Sequence, residues 1–209
     1  MNPDVRQRRE LADSVTAVLE KAAPGSQALL RGSLADRSAD EYSDIDMLWE
    51  VPDSLFRMCV DNIREILSKA HPMESLRSDP NFQNSKKRRL FFVRFKDMPL
   101  FWRLDLEVFA QSIKRDSKYD LDNPDARGDD WSFAESALMN AIAAVKAHLR
   151  GKDEVARELM ERAYVRVGLD CPDLQLRELI LELVDCVKAA NPELRGLSGE
   201  IEKLLLESF

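Results

Sequence analysis

Apolar positions along the chain change period several times. From residue 4 to 22, Val5, Leu11, Val15, Val18, Leu19 and Ala22 recur at helical spacing, and Pro24-Gly25 ends the pattern. Ala28-Leu29-Leu30 followed by Gly32-Ser33 predicts a short strand running into a tight turn. Over 44–51 the period falls to two. Ile45, Met47, Trp49 and Val51 point one way, and Asp44, Asp46, Leu48 and Glu50 the other, which is a strand with one buried face. Pro52-Asp53 opens a second helix to about Ala70, with Asp53 or Ser54 as its cap and Leu55, Val60, Ile63, Ile66 and Leu67 inward.

Residues 71–89 are polar and irregular apart from a short strand near 74–77. They close on Lys86-Lys87-Arg88-Arg89, which reads as a surface loop, with phosphate or RNA contact as the alternative. Leu90–Phe95 and Leu100–Phe109 form a hairpin turned at Lys96–Pro99. After about residue 110 the pattern changes. A charged, loop-like stretch over 114–130 leads into four helices near 131–150, 153–167, 173–190 and 196–207, separated by Gly151, Gly168, Pro172 and Asn191-Pro192. The expected architecture is α+β: a small mixed sheet with flanking helices over 1–112, then an all-helical domain over 113–209.

Composition narrows the function. With 209 residues, 44% apolar and 33% charged, the chain is long enough for a good core and is not disordered. A net charge of −7 argues against broad, unspecific nucleic-acid binding, which needs a basic face. No apolar run reaches membrane-spanning length, and MNPDVRQRRELAD has no apolar signal core, so the expected location is the cytoplasm. Cys59, Cys171 and Cys186 are widely spaced and form no metal-ligand pair, and with only His71 and His148 present, histidine-based zinc chemistry is not expected.

The chemistry concentrates in Leu30-Arg31-Gly32-Ser33 and Ser43-Asp44-Ile45-Asp46, with ten residues between Ser33 and Asp44. On a strand, Asp44 and Asp46 project together, about 7 Å apart along the chain. Two such carboxylates suit Mg²⁺, which takes a few carboxylates plus phosphate oxygens and water. Glycine lets backbone approach phosphate closely, and a helix starting at Ser33 would aim N–H groups at anions.

This pattern resembles the signature of the DNA polymerase β-like nucleotidyltransferase superfamily: Gly-Ser, a spacer of about ten, then Asp-x-Asp. The resemblance implies a third carboxylate on a later neighbouring strand between apolar residues, which Leu104-Asp105-Leu106 supplies. It implies two Mg²⁺ ions bridged by Asp44 and Asp46, with Asp105 completing the nucleophile-side ion. It also implies nucleotide contacts at Gly32, Ser33, Arg37 and Ser43; Ser43 alternatively shapes the turn before the strand. Ala35 fits the spacer of close relatives, but Asp36-Arg37 stands where they carry Arg-Gly.

Glu107 shares the face of Asp105 and is a candidate general base, with a structural glutamate as the alternative. Arg103 shares it too, as a partner of phosphate or of the carboxylates. Trp49, Trp102 and Trp131 are expected in the core or at a domain interface, with Trp102 facing away from the carboxylates.

The implied activity is transfer of a nucleoside monophosphate from a nucleoside triphosphate, ATP by resemblance, to an acceptor hydroxyl. A small cationic acceptor such as an aminoglycoside-like antibiotic fits the acidic 114–130 segment, with contacts expected from Asp129, Asp130, Glu135 or Asn140. The alternatives are a protein- or RNA-modifying transferase of toxin–antitoxin type and a catalytically silent nucleotide-binding module. The acceptor, the nucleotide and the oligomeric state are not encoded in any motif.

Overall fold

The computed structural model describes residues 5–114, 116 and 118–209. Asp4, at the start of the expected first helix, lies outside the described residues, as do Arg115 and Ser117 of the expected 114–130 loop. The chain divides into two compact units, residues 1–131 and 132–209. The division falls later than the 112/113 boundary expected from composition. Backbone bonds explain it: Gly128 N–H donates to Pro80 O at 2.8 Å, and Asn84 N–H donates to Ala126 O at 2.9 Å, tying the charged stretch to the first unit.

The first unit is a mixed sheet with helices. In chain order it comprises α1 (Val5–Ala22), β1 (Gln27–Arg31), α2 (Gly32–Ala35), β2 (Ile45–Val51), α3 (Phe56–Asp61), α4 (Ile63–Ser68), β3 (Met73–Ser78), β4 (Arg88–Phe95) and β5 (Leu104–Ala110). The sheet order is β1-β2-β5-β4-β3, with β2 and β5 parallel and every other pair antiparallel. One sheet face, carrying Ile45, Met47, Trp49, Val51, Leu104, Leu106, Val108, Phe91 and Val93, is buried. Leu11, Ala12, Val15 and Leu19 of α1 and Ile66 and Leu67 of α4 belong to the same core. The alternation of β2 appears in its burial, in which every second residue is buried.

Three local expectations change. The helix expected over 52–70 is two helices, α3 and α4, separated at Asn62 (φ −105°, ψ 12°). Asp53 caps neither, because its carboxylate accepts from Ser112 N–H at 3.0 Å and Ser112 Oγ at 2.5 Å. The basic run 86–89 divides: Lys86 and Lys87 lie in the loop before β4, whereas Arg88 and Arg89 open β4 and are buried at 9% and 7% exposure. The hairpin of β4 and β5 is present, but Phe101–Arg103 belong to its connection rather than to the strand.

The second unit is all-helical: α5 (Phe133–Leu149), α6 (Asp153–Arg166), α7 (Leu176–Ala190) and α8 (Arg195–Ser208). Ser132 caps α5 by accepting from Glu135 N–H at 3.0 Å. Its core is built from apolar stripes, Leu138, Ile142 and Val145 of α5 with Leu179, Ile180, Leu183, Val184 and Val187 of α7. Tyr164 of α6 is buried and donates to Leu179 O at 3.0 Å. The fold is therefore α+β, with a helical C-terminal part. Among the described residues, no helix is long and apolar enough to cross a membrane.

Candidate active site

The sheet face opposite the core carries the acids of β2 and β5 and arginines of β1, β3 and β4. Strand register aligns them in one row: Arg31 on β1 pairs with Asp46 on β2, Asp46 with Asp105 on β5, Asp105 with Phe92 on β4, and Phe92 with Arg77 on β3. Asp46 and Asp105 thus stand side by side on neighbouring parallel strands, whose backbones lie about 4.8 Å apart. A cavity of about 350 Å³ opens there, lined by Arg31, Gly32, Asp46, Leu90, Asp105 and Glu107.

Gly32 begins α2 at φ +57°, a conformation that side chains rarely adopt. A Cβ at this position would lie 2.6 Å from Asp46 Oδ2, so the backbone of the turn closes directly on the carboxylate. Burial pushes the Asp46 carboxyl above its ordinary range, the negative charge of Asp105 adds to the rise, and Arg103 and Arg31 oppose it.

Asp44 immediately precedes β2, where Ile45 N–H donates to Arg103 O at 2.9 Å. It does not line the cavity. Arg103 stands between it and Asp105: Nε and Nη2 donate to the two oxygens of Asp105 at 2.5 and 2.6 Å, and Nη2 lies 3.8 Å from Asp44 Oδ2. The guanidinium also sits 5.1 Å from the centre of the Phe92 ring.

Glu107, the candidate general base, has both oxygens engaged. Oε2 accepts from Arg31 Nη1 at 3.0 Å, and Oε1 accepts from Arg88 Nε at 3.0 Å and Nη2 at 2.6 Å. It stands in an ion pair with each of these arginines. Arg88 is fixed further by donating to Tyr119 O at 3.1 Å.

The other expected nucleotide contacts divide. Gly32 lines the carboxylate cavity and Ser33 follows it in α2. Arg37, at φ +58°, lines a different cavity of about 430 Å³ with Arg6 and Arg9 of α1. Ser43 is buried, and its hydroxyl accepts from Asp40 N–H at 3.1 Å and donates to Asp40 Oδ1 at 2.7 Å, so it shapes the loop before β2. Trp49 and Trp102 are core residues. Trp131 is half-buried on the site face, 4.9 Å from the Arg77 guanidinium and edge-on to Phe92 at 5.9 Å. Of the acids suggested for an acceptor, Asp130 belongs to the first unit, and its backbone is held by Gln83 through bonds of 3.1 and 2.6 Å. Glu135 and Asn140 belong to the second, where Asn140 Oδ1 accepts from Arg166 at 3.1 Å.

Arg8 went unremarked in the sequence. It is fully buried in α1, donates to Ser43 O and Asp40 O at 2.6 Å each, and stacks 5.6 Å from the Trp102 ring centre. It fastens the loop that delivers Asp44. The signal was present: Arg8 continues the stripe of Leu11, Ala12, Val15 and Leu19 at helical spacing.

The donors fit a divalent cation in kind, because carboxylate oxygens are what Mg²⁺ takes, and the row already holds a cationic group, the Arg103 guanidinium. Among the described residues, no cluster of three or more acidic, His or Cys side chains is arranged to hold a metal.

Fold and site together define an α+β unit with a carboxylate pair at a glycine turn. No family model and no curated protein matches the sequence. Among the solved structures that resemble it loosely are two complexes. One is a GLD-2/RNP-8 complex, with 12% identity over 87% of this chain and 76% of that one and a TM-score of 0.39. The other is a poly(A) polymerase complex of GLD-2 with GLD-3, with 12% identity over 87% and 69% and a TM-score of 0.37. Likeness this loose does not carry function, which rests on the residues of the cleft.

Proposed function

We propose that the protein is a nucleotidyltransferase that moves a nucleoside monophosphate from a nucleoside triphosphate, ATP by resemblance, to an acceptor hydroxyl. The observation that carries the reading is the register of Asp46 beside Asp105, with Gly32 closing on Asp46. In the proposed assignment, Asp44, Asp46 and Asp105 hold two Mg²⁺ ions. When bound, these would supply Lewis acidity at the acceptor oxygen and the triphosphate. Gly32 and Ser33 receive the phosphate chain at the β1 side of the row. Asp105 accepts the acceptor's proton as its oxygen bonds to the α-phosphorus and pyrophosphate leaves. Glu107 keeps Arg31 and Arg88 in place and takes no proton.

A small-molecule acceptor is the favoured class. Half of the basic run that would have suited an RNA acceptor is taken up within the protein, since Arg88 pairs with Glu107 and Arg89 is buried. The testing experiment is calorimetric titration of ATP, GTP, CTP and UTP in Mg²⁺ against wild type and an Asp44→Asn/Asp46→Asn variant. Metal-dependent binding of one nucleotide, lost in the variant, supports the assignment. Equal binding by both proteins refutes it.

A further inference from the structure

We propose that Arg103 is the resident counter-ion of the carboxylate row, and that a divalent cation reaches Asp105 only by displacing it. The inference rests on the metal-binding reading above and adds a gate to it.

Arg103 lies just before β5, two residues from Asp105, on the same face. Its fork takes both Asp105 oxygens at 2.5 and 2.6 Å, the bidentate geometry that makes arginine–carboxylate pairs strong. The same Nη2 lies 3.8 Å from Asp44, so one guanidinium spans the two acids that would otherwise converge on a cation. The side chains of Arg103, Asp105 and Asp44 are only 23%, 21% and 28% exposed, which weakens screening by water. The Phe92 ring supports the cation from the side, 5.1 Å from its centre.

A divalent ion on Asp105 would need oxygens that the Arg103 fork already holds, so its binding requires the guanidinium to let go of the carboxylate. The protein folds with Asp105 and Asp44 bridged by Arg103 before any metal arrives, and free metal binds weakly there. A nucleotide's phosphates change the balance by offering ligands to the metal and anionic partners to the freed guanidinium. Metal and nucleotide should consequently bind with positive, reciprocal coupling.

Mn²⁺ alone is the probe, titrated by calorimetry and by electron paramagnetic resonance into the full chain without nucleotide. Wild type is compared with Arg103→Gln, Arg103→Lys and Asp105→Asn. Arg103→Gln should bind Mn²⁺ at least about tenfold more tightly than wild type. Arg103→Lys should fall between them, because one ammonium cannot span both oxygens. Without Mn²⁺, Arg103→Gln should melt below wild type, and Mn²⁺ should restore it. Equal affinities in wild type, Arg103→Gln and Arg103→Lys, with Mn²⁺ binding lost in Asp105→Asn, would overturn the gate while leaving the metal site standing. Absence of Mn²⁺ binding at millimolar concentration in wild type and both Arg103 variants would overturn the metal reading itself, and the gate with it. If Arg103→Gln does not fold, Arg103→Lys decides alone, and an affinity equal to wild type refutes the gate.

Discussion

Replacing Gly32 by alanine tests whether the turn after β1 is built against Asp46. Alanine at φ +57° costs about 1–2 kcal/mol from the left-handed backbone alone. Its Cβ would also sit 2.6 Å from Asp46 Oδ2, a distance that forces the carboxylate off its rotamer at a further cost of about 0.5–1.5 kcal/mol. Together these give about 1.5–3.5 kcal/mol. Gly25 is the control. It has φ +82° in the same unit, but a Cβ there meets only Pro52 Cγ at 3.7 Å, an ordinary contact. Any gain from restricting the unfolded chain is common to both substitutions and cancels between them. Gly32→Ala should therefore lose about 1 kcal/mol more than Gly25→Ala. Urea unfolding by tryptophan fluorescence suits the measurement, since Trp49, Trp102 and Trp131 all lie in the first unit. Equal losses in the two variants would refute the close approach of turn and carboxylate.

Four further outcomes follow from the same geometry. Asp46 binds its proton more tightly folded than unfolded, so its charge destabilises the fold increasingly as pH rises from about its ordinary value of 3.8. Asp46→Asn should then melt above wild type at pH 7 without metal, with the difference vanishing below pH 4; a lower melting temperature at pH 7 refutes the reasoning. Arg8→Met removes two charge-assisted bonds to buried loop carbonyls and should cost about 2–4 kcal/mol in urea unfolding, and nucleotide affinity should fall with it as Asp44 loosens. Glu107→Gln should destabilise by about 2 kcal/mol through Arg88 yet leave the shape of the rate–pH profile unchanged; loss of the acidic limb would restore Glu107 as a base. Burial pushes the Cys59 thiol up to about 11, so at pH 8 a maleimide should label exposed Cys186 and spare Cys59, as read by peptide mass.

The parts of the fold legible in the sequence were those set by local periodicity. The two-residue alternation of Ile45–Val51 fixed both the strand and which face was buried, and the stripes of α5 and α7 fixed the helical unit. The parallel pairing of β2 with β5 was not legible, because it depends on a crossover and not on any neighbouring residues. The placement of Asp105 next to Asp46 could be expected from the family resemblance alone. Arg88 and Arg89 misled because a basic run resembles a solvated loop, yet both continue the alternation of Leu90–Phe95, Arg89 on the core face and Arg88 on the site face. The later unit boundary escaped notice because residues 118–131 join the first unit through hydrogen bonds such as Gly128 to Pro80 and Ser85 to Asp120, which leave no apolar signature.

The acids of the row differ in how closely an arginine holds them. Glu107 is held by Arg31 and Arg88, and Asp105 and Asp44 are bridged by Arg103. Asp46 receives only the more distant influence of Arg31 and Arg103, which does not offset its burial and the repulsion of Asp105. The uncompensated charge therefore falls on the residue that Gly32 presses against and that faces the cavity. A face arranged only for stability would place an arginine there or dispense with the acid, as it does for Asp105 and Glu107. Leaving Asp46 short of a cation is a stability cost concentrated where a ligand's cation would relieve it, which is the pattern expected of a binding site and not of a solvated strand.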